Sequence, residues 1–478
     1  MRRPYPSILL ILLALLLVLP VASGAETALS RKPASTPLDS YKPSAQEPWD
    51  YERAAHLLRR AGFGGDYKQV QELVQLGSDK ALDRLLEFDA DALTRFDARV
   101  AAMNFDLGER DDIKGWWICR MYYSPAPLQE KMALFWHNHF ATSMRKVRAP
   151  ELMVGQNELF RQYALSDFQR LLLEVSKDPA MIQWLDNSNN LKGKPNENYA
   201  RELMELFTIG IGHYTEQDIK EAARAFTGWQ MDFKGFCFSP EQHDFGQKTF
   251  MGQTGEFNGG DIIKIIMLQP ATSEYIARKL FQFFAYDDPD DAVIKQLASI
   301  FAANHYQIRP VVEKILRSRA FFSEKSMQAQ IKSPVEYVLG TAKTLNLEVN
   351  PQGAKMLARA AAQMGQNLFE PPSVKGWDGG RAWINTSTLL NRQNFVQQLT
   401  RNRAQQILEL RKKLSIDNTP EPDKALDAYA RALLQRPLSE KDRAALMPYA
   451  EKISHDTNPG SWRELTYQIL SLPGYQLN

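Results

Sequence analysis

The residues of this chain best suited to chemistry are three pairs of polar side chains set among apolar or turn-forming neighbours. Only 7 histidines occur in 478 residues, so His137 and His139, one residue apart, carry weight. On a regular helix over Leu128 to Phe140, His139 joins the apolar stripe of Leu128, Met132, Phe135 and Trp136, while His137 points about 200° away. The two then cannot chelate one ion. If the helix ends at Trp136 and the chain becomes extended, residues two apart share a side, and His137 and His139 make half of a divalent-metal site. The plainer alternative is a buried imidazole hydrogen-bonded to a neighbour.

Glu202 and Glu205 form the second pair. A helix beginning at Asn196 gathers Tyr199, Ala200, Leu203, Leu206 and Phe207 on one face. Glu197, Asn198, Arg201, Glu202 and Glu205 take the other. That polar face is either a solvated ladder from Glu197 through Arg201 to Glu205, or a patch of Glu202, Glu205 and Asn198 facing a cleft. Such a patch binds a cation or serves as acid and base. Further on, Thr215 and Asp218 have the form of a capping box, and Glu221 has Arg224 or Arg201 within reach. A turn through Gly210 and Gly212 would alternatively set Asp218 and Glu221 opposite Glu202 and Glu205.

His243 and Asp244 are the third pair, beside turn residues. A loop His-Asp pair is a base with its orienter, two metal ligands, or a network tying a hairpin together. Trp377 and Trp383 lie in a Pro- and Gly-rich stretch, where their faces either receive a sugar or peptide or pack within the loop. As a metal shell, His137, His139 and Glu202 suit Zn, Mn or Fe. The Glu-x-x-His pattern of di-iron bundles is missing. Neither a phosphate-binding loop nor a serine nucleophile elbow is present.

The elements that must position these groups are mainly helical. Asp66 opens a segment that Gly77 closes, Asp178 precedes Pro179 as an N-cap, and Asp261 reads as the cap of a later helix. The stretch 233–260, FKGFCFSPEQHDFGQKTFMGQTGEFNGG, alternates aromatic and polar residues between turns and predicts a small β-hairpin insertion. The segment Asn367 to Trp383 reads as an ordered loop. The fold class is therefore mainly α: a multi-helix body over 49–402, followed by a C-terminal helical subdomain over 403–478.

The amino terminus predicts export. Arg2 and Arg3 precede an apolar run from Ile8 to Leu19, which Pro20 and the small residues Val21 to Ala25 follow. That is the logic of a cleavable signal peptide over 1–25, and the run falls short of the roughly 20 apolar residues of a membrane span. Residues 26–48 carry no apolar period and read as a disordered spacer. With 58 basic against 56 acidic residues, no strong field recruits nucleic acid, and no nucleic-acid partner is expected. In an oxidising compartment Cys119 and Cys237 are either bridged or, for Cys119 among Trp116, Trp117 and Ile118, simply buried.

Several segments together resemble a bacterial family known as domain of unknown function 1800. They are HLLRRAGFG from His56, LQEKMALFWHNHFATS from Leu128, PNENYARELMELFTIGIGHYTEQDIKEAARAFTGW from Pro195, HDFGQKTFMG from His243, QPATSEYIARKLFQFF from Gln269 and PPSVKGWDGGRAW from Pro371. The resemblance implies no activity and no catalytic residue, since the family is named for its lack of an assigned function.

From the residues themselves, the functional expectation is a periplasmic or secreted hydrolase. Its site gathers His137 or His139 with Glu202, Glu205, His243 and Asp244, with or without a divalent metal. The rival is a non-catalytic envelope scaffold that holds a protein or polysaccharide partner through Trp377, Trp383 and the acidic helix faces.

Overall fold

Capping side chains set many of the helix starts. Asp66 accepts from the Gln69 amide to open the helix Tyr67–Leu76, which ends at Gly77 with φ of 81°. Asp178 caps Pro179–Trp184, and Thr215 with Asp218 forms a reciprocal capping box at Glu216–Ala225. The cap placed at Asp261 is instead Asn258, with Asp261 as its capping-box partner at the head of Gly259–Met267.

The structure is a computed structural model and describes residues 36–478 apart from 402–403, 417–420 and 456–457. The signal peptide expected over 1–25 and the first part of the spacer lie outside these residues. Among the described residues there are 22 α-helices and two separate two-stranded antiparallel sheets. The fold is mainly α, with the β structure where the aromatic-polar alternation lies. β1 (Trp229–Asp232) pairs with β2 (Gly235–Phe238), Trp229 facing Phe238. β3 (Lys248–Phe250) pairs with β4 (Gln253–Gly255). The insertion thus begins at Trp229, a few residues before 233.

One apolar core runs through the residues from Pro37 onward, which form a single compact unit. Trp117, Trp136 and Trp462 are fully buried in it. Helix Arg110–Tyr123 packs along Pro351–Gln363, and Pro127–His139 packs against Pro150–Gln162.

One organisational expectation is corrected. The spacer assigned to 26–48 gives way to ordered chain by Pro37. Leu38 and Tyr41 are buried, the Tyr41 amide donates to the Arg317 carbonyl at 2.8 Å, and the Ala320 amide donates to the Pro37 carbonyl at 2.8 Å. Two apolar anchors and a run of backbone bonds offset the ordering entropy that a polar composition suggested would win. The helices read as a C-terminal helical subdomain over 403–478 cluster with the rest of the chain from Pro37 onward. Gln435 donates to the Gly65 carbonyl at 2.9 Å, and the Lys332 amide donates to the Gln476 carbonyl at 2.8 Å. A charged surface hid how closely Leu433, Trp462 and Tyr475 are packed.

Candidate functional site

The helix Asn198–Glu202 continues into a π-helical turn, Leu203–Thr208. The Ile209 and Gly210 amides both bond the Met204 carbonyl, at 3.1 and 2.9 Å. The wider turn changes which residues face inward. Met204 and Thr208 are buried beside Leu203 and Phe207, and Leu206, placed on the core face by a regular helix, is half-buried. Two carbonyls of the turn are read by side chains from remote helices. His139 Nε2 donates to the Phe207 carbonyl at 3.0 Å, and Tyr275 Oη donates to the Leu206 carbonyl at 2.8 Å. Gly210 ends the turn with φ of 75°, and a Cβ there would lie 3.1 Å from the Tyr275 ring.

Glu202 and Glu205 emerge from this turn half-buried. Burial, reinforced by the Glu205 charge, raises the Glu202 carboxyl above its ordinary range, with Arg201 and Lys375 opposing. Glu205 accepts from Tyr214 Oη at 3.4 Å. Burial, then Glu205, pushes the Tyr275 phenol up to about 12. Of the ladder expected from sequence, only its first rung forms. Arg201 pairs with Glu197 at 3.2 Å and with Glu216 of the next helix at 2.8 Å. Neither Glu202 nor Glu205 has an ion-pair partner among the described residues. Asp218 and Glu221 take their plainer roles, the cap at Thr215 and a 2.7 Å pair with Arg224.

The two-histidine metal pair is not formed. The helix Pro127–His139 stays regular through His139, so the imidazoles leave opposite sides. His137 sits against Trp117, Phe369 and Trp377, and its Nε2 accepts from the Phe369 amide at 3.2 Å. His139 sits against Phe207 and Tyr275. Burial pulls both imidazoles down to about 3. Their Nε2 atoms are occupied by backbone, and Glu202 cannot reach both sides of one helix. No group of three His, Cys, Asp or Glu able to hold a metal occurs among the described residues.

The sequence profile of one family, described as Protein of unknown function (DUF1800), matches residues 56–477. The chain belongs to that family. No curated protein and no solved structure matches it.

The third pair in this DUF1800 chain ties the insertion down. His243 is buried between Phe238 and Phe245, and its Nδ1 donates to the Thr227 carbonyl at 2.8 Å. Asp244 pairs with Arg224 at 2.7 Å and accepts from the Gly246 amide at 2.8 Å. The Nδ1 of His243 is spent on backbone and Asp244 on an arginine, and no hydrogen bond or ion pair links either residue to Glu202 or Glu205 among the described residues. Trp377 and Trp383 are likewise 7% and 8% exposed, too little to offer a face to a ligand. Their loop is clamped by Asn138, whose Oδ1 accepts from the Trp377 amide at 2.7 Å. Gly376 passes so close that a Cβ would lie 2.2 Å from that oxygen. Cys119 and Cys237 are both free thiols, the first buried on Arg110–Tyr123 and the second on β2.

Two positioning clusters escaped the sequence reading. Asn190 is buried and donates to the Ala223 carbonyl at 2.8 Å while accepting from the Asn196 amide at 2.9 Å. Asn187 donates to the Trp229 carbonyl at 3.2 Å. Together they fix the start of the carboxylate-bearing helix to the end of the next one and to β1. The signal was the asparagine-rich run at 186–190. The second cluster is fully buried Glu130, gripped by Arg161 at 2.6 Å and Arg120 at 3.2 Å. It was legible only as a charge inside an apolar helix.

Proposed function

We propose that this DUF1800 protein is an acid/base-assisted hydrolase of the envelope or exterior, with Glu202 as proton donor and Glu205 as base. The observation that carries the reading is the Glu202 carboxyl itself. It is half-buried and raised above its ordinary range beside a second carboxylate, with no ion-pair partner among the described residues. A structural carboxylate is normally matched by a cation; one raised above its ordinary range holds its proton more readily and is suited to general-acid work. The π-helical turn beneath it is a further mark of such sites. In this scheme Glu205, steadied by Tyr214 Oη, takes a proton from water as the water oxygen attacks. Glu202 gives its proton to the departing group. The leader-like amino terminus supports a periplasmic or secreted address for that activity.

The test is release of soluble product from isolated bacterial envelope by the purified protein, read as reducing ends, free amines and fatty acids. Glu202→Gln and Glu205→Gln are each expected to lower release by about 10² or more, with circular dichroism unchanged. Release unaffected by either substitution, or none by the parent, overturns the reading. In the second case weight passes to an envelope scaffold, although packing occupies the Trp377 and Trp383 faces it was to use.

A further inference from the structure

We propose that the β1–β2 hairpin and the loops beside it form a docking surface for a bilayer that carries anionic lipid. Phe233, Phe238 and Phe245 are 92%, 43% and 55% exposed. Phe233 occupies the two-residue turn between Asp232 and Gly235, with the Lys234 ammonium 5.4 Å from its ring centre. Phe238 and Phe245 both edge onto buried His243, at 5.3 and 4.7 Å, so the imidazole props them outward. The base of the hairpin is rigid. Gly228 has φ of 79°, a Cβ there would lie 2.5 Å from the Ser239 carbonyl, and the Ser239 amide bonds the Gly228 carbonyl at 2.8 Å.

Exposed lysines surround these rings. The Lys192 amide donates to the Gln242 carbonyl at 2.8 Å, which sets Lys192 and Lys194 next to the His243 loop. Lys177, half-buried, lies 5.9 Å from the half-buried Phe236 ring of β2. The nearby acids Asp186 and Asp244 are taken by Lys146 at 2.6 Å and Arg224 at 2.7 Å. Lys192, Lys194 and Lys234 have no ion pair among the described residues. Asp232, which caps the turn by accepting from the Lys234 amide at 2.7 Å, and Glu241 are the exposed acids of the patch, leaving it net positive.

The form of the patch favours lipid over an acidic protein. A stable protein interface buries about 800 Å² per partner around a packed apolar centre. Here one ring tips the hairpin with an ammonium beside it, and two flank His243 at the strand end and the following loop, with no packed apolar centre among them. That arrangement suits the headgroup boundary, where rings enter the acyl region and lysines stay level with phosphate. Attachment through this patch is peripheral and sensitive to salt, because its lysines act from the surface; no helix among the described residues is long and apolar enough to cross a membrane.

The experiment is flotation of the purified full chain with phosphatidylcholine vesicles, with or without phosphatidylglycerol. Phosphatidylglycerol is expected to increase binding, and raised salt to remove the increase. Phe233→Ser and Phe245→Ser should each weaken partitioning about tenfold. Joint Lys192→Glu, Lys194→Glu and Lys234→Glu should weaken it by about a hundredfold, with circular dichroism unchanged. Equal binding to both vesicle types, or variants that partition like the parent, overturns the proposal. So does Phe233-dependent binding of polyglutamate without vesicle binding, which would assign the surface to an acidic protein.

Discussion

Glu130 and Glu202 both project from helices with a buried apolar side, and the molecule treats them in opposite ways. Burial works to raise the Glu130 carboxyl, but Arg161 and Arg120 outweigh it and hold the group below its ordinary range. Trp117 Nε1 adds a bond at 3.2 Å, Asp97 balances Arg120 at 2.8 Å, and Glu158 balances Arg161 at 2.7 Å. Every charge in that cluster has a counter-charge, and the cluster joins three consecutive helices through residues 120, 130 and 161. At Glu202 burial prevails over Arg201 and Lys375, and the charge that acts on it most is another carboxylate. Compensation marks the first site as structural. Weak compensation at the second is what supports the proposed proton-donor role of Glu202.

The largest effect should come from breaking the compensated site. Glu130→Ala leaves two buried guanidinium groups with only the exposed carboxylates Asp97 and Glu158 and is expected to cost about 3–5 kcal/mol in urea unfolding. The sign of the pH dependence follows from the lowered carboxyl. Its contribution is full above the unfolded-state value near 4.3 and is lost as pH falls through the folded value. A loss under about 1 kcal/mol would place Glu130 with ordinary surface ion pairs and dissolve the contrast. A smaller effect sharpens it. Arg161→Lys keeps the charge but gives up the fork that bonds both Glu130 oxygens, at 2.6 and 3.0 Å, and should cost about 2 kcal/mol in the same measurement.

Helix starts at Asp66, Asp178 and Thr215 could be read from sequence because a cap and its first turn are neighbours in the chain. The opposite directions of His137 and His139 were also legible, as a consequence of helical spacing. What holds them was not. Phe369 and Phe207, whose backbone groups occupy the two Nε2 atoms, lie 232 and 68 residues away. The π-helical turn was hidden for a related reason. LMELFT has the same apolar spacing in either register, and the choice is made by Tyr275 and His139 reaching in from other helices. The candidate site was therefore half visible. Glu202 and Glu205 were named as a pair, while Tyr214 and Tyr275, which frame them, were not. His243 and Asp244 were drawn in by type alone, although their partners Thr227 and Arg224 serve the hairpin.

At the second site the effects are smaller, and one changes sign. Tyr275→Phe leaves the Leu206 carbonyl of the π turn without its 2.8 Å bond and should cost about 1 kcal/mol in thermal unfolding. If the melting point does not move, Tyr275 does not steady the turn that carries the carboxylates.

Glu202→Gln should instead stabilise, by about 0.5 kcal/mol at neutral pH, a small figure because the group is partly solvated. Here the carboxyl is raised, so its contribution to stability is present below the unfolded value near 4.3 and is lost as pH rises through the folded value. The gain from the neutral amide should accordingly appear at pH 7 and vanish below pH 4, a mirror image of the Glu130 dependence. Urea unfolding of parent and variant at the two pH values measures it. A variant less stable than the parent at pH 7 would mean that the ionised carboxylate is compensated after all, and Glu202 would join Glu130 as a structural group. A more stable variant that has also lost envelope hydrolysis would show a carboxylate kept at some expense to the fold because the reaction needs it.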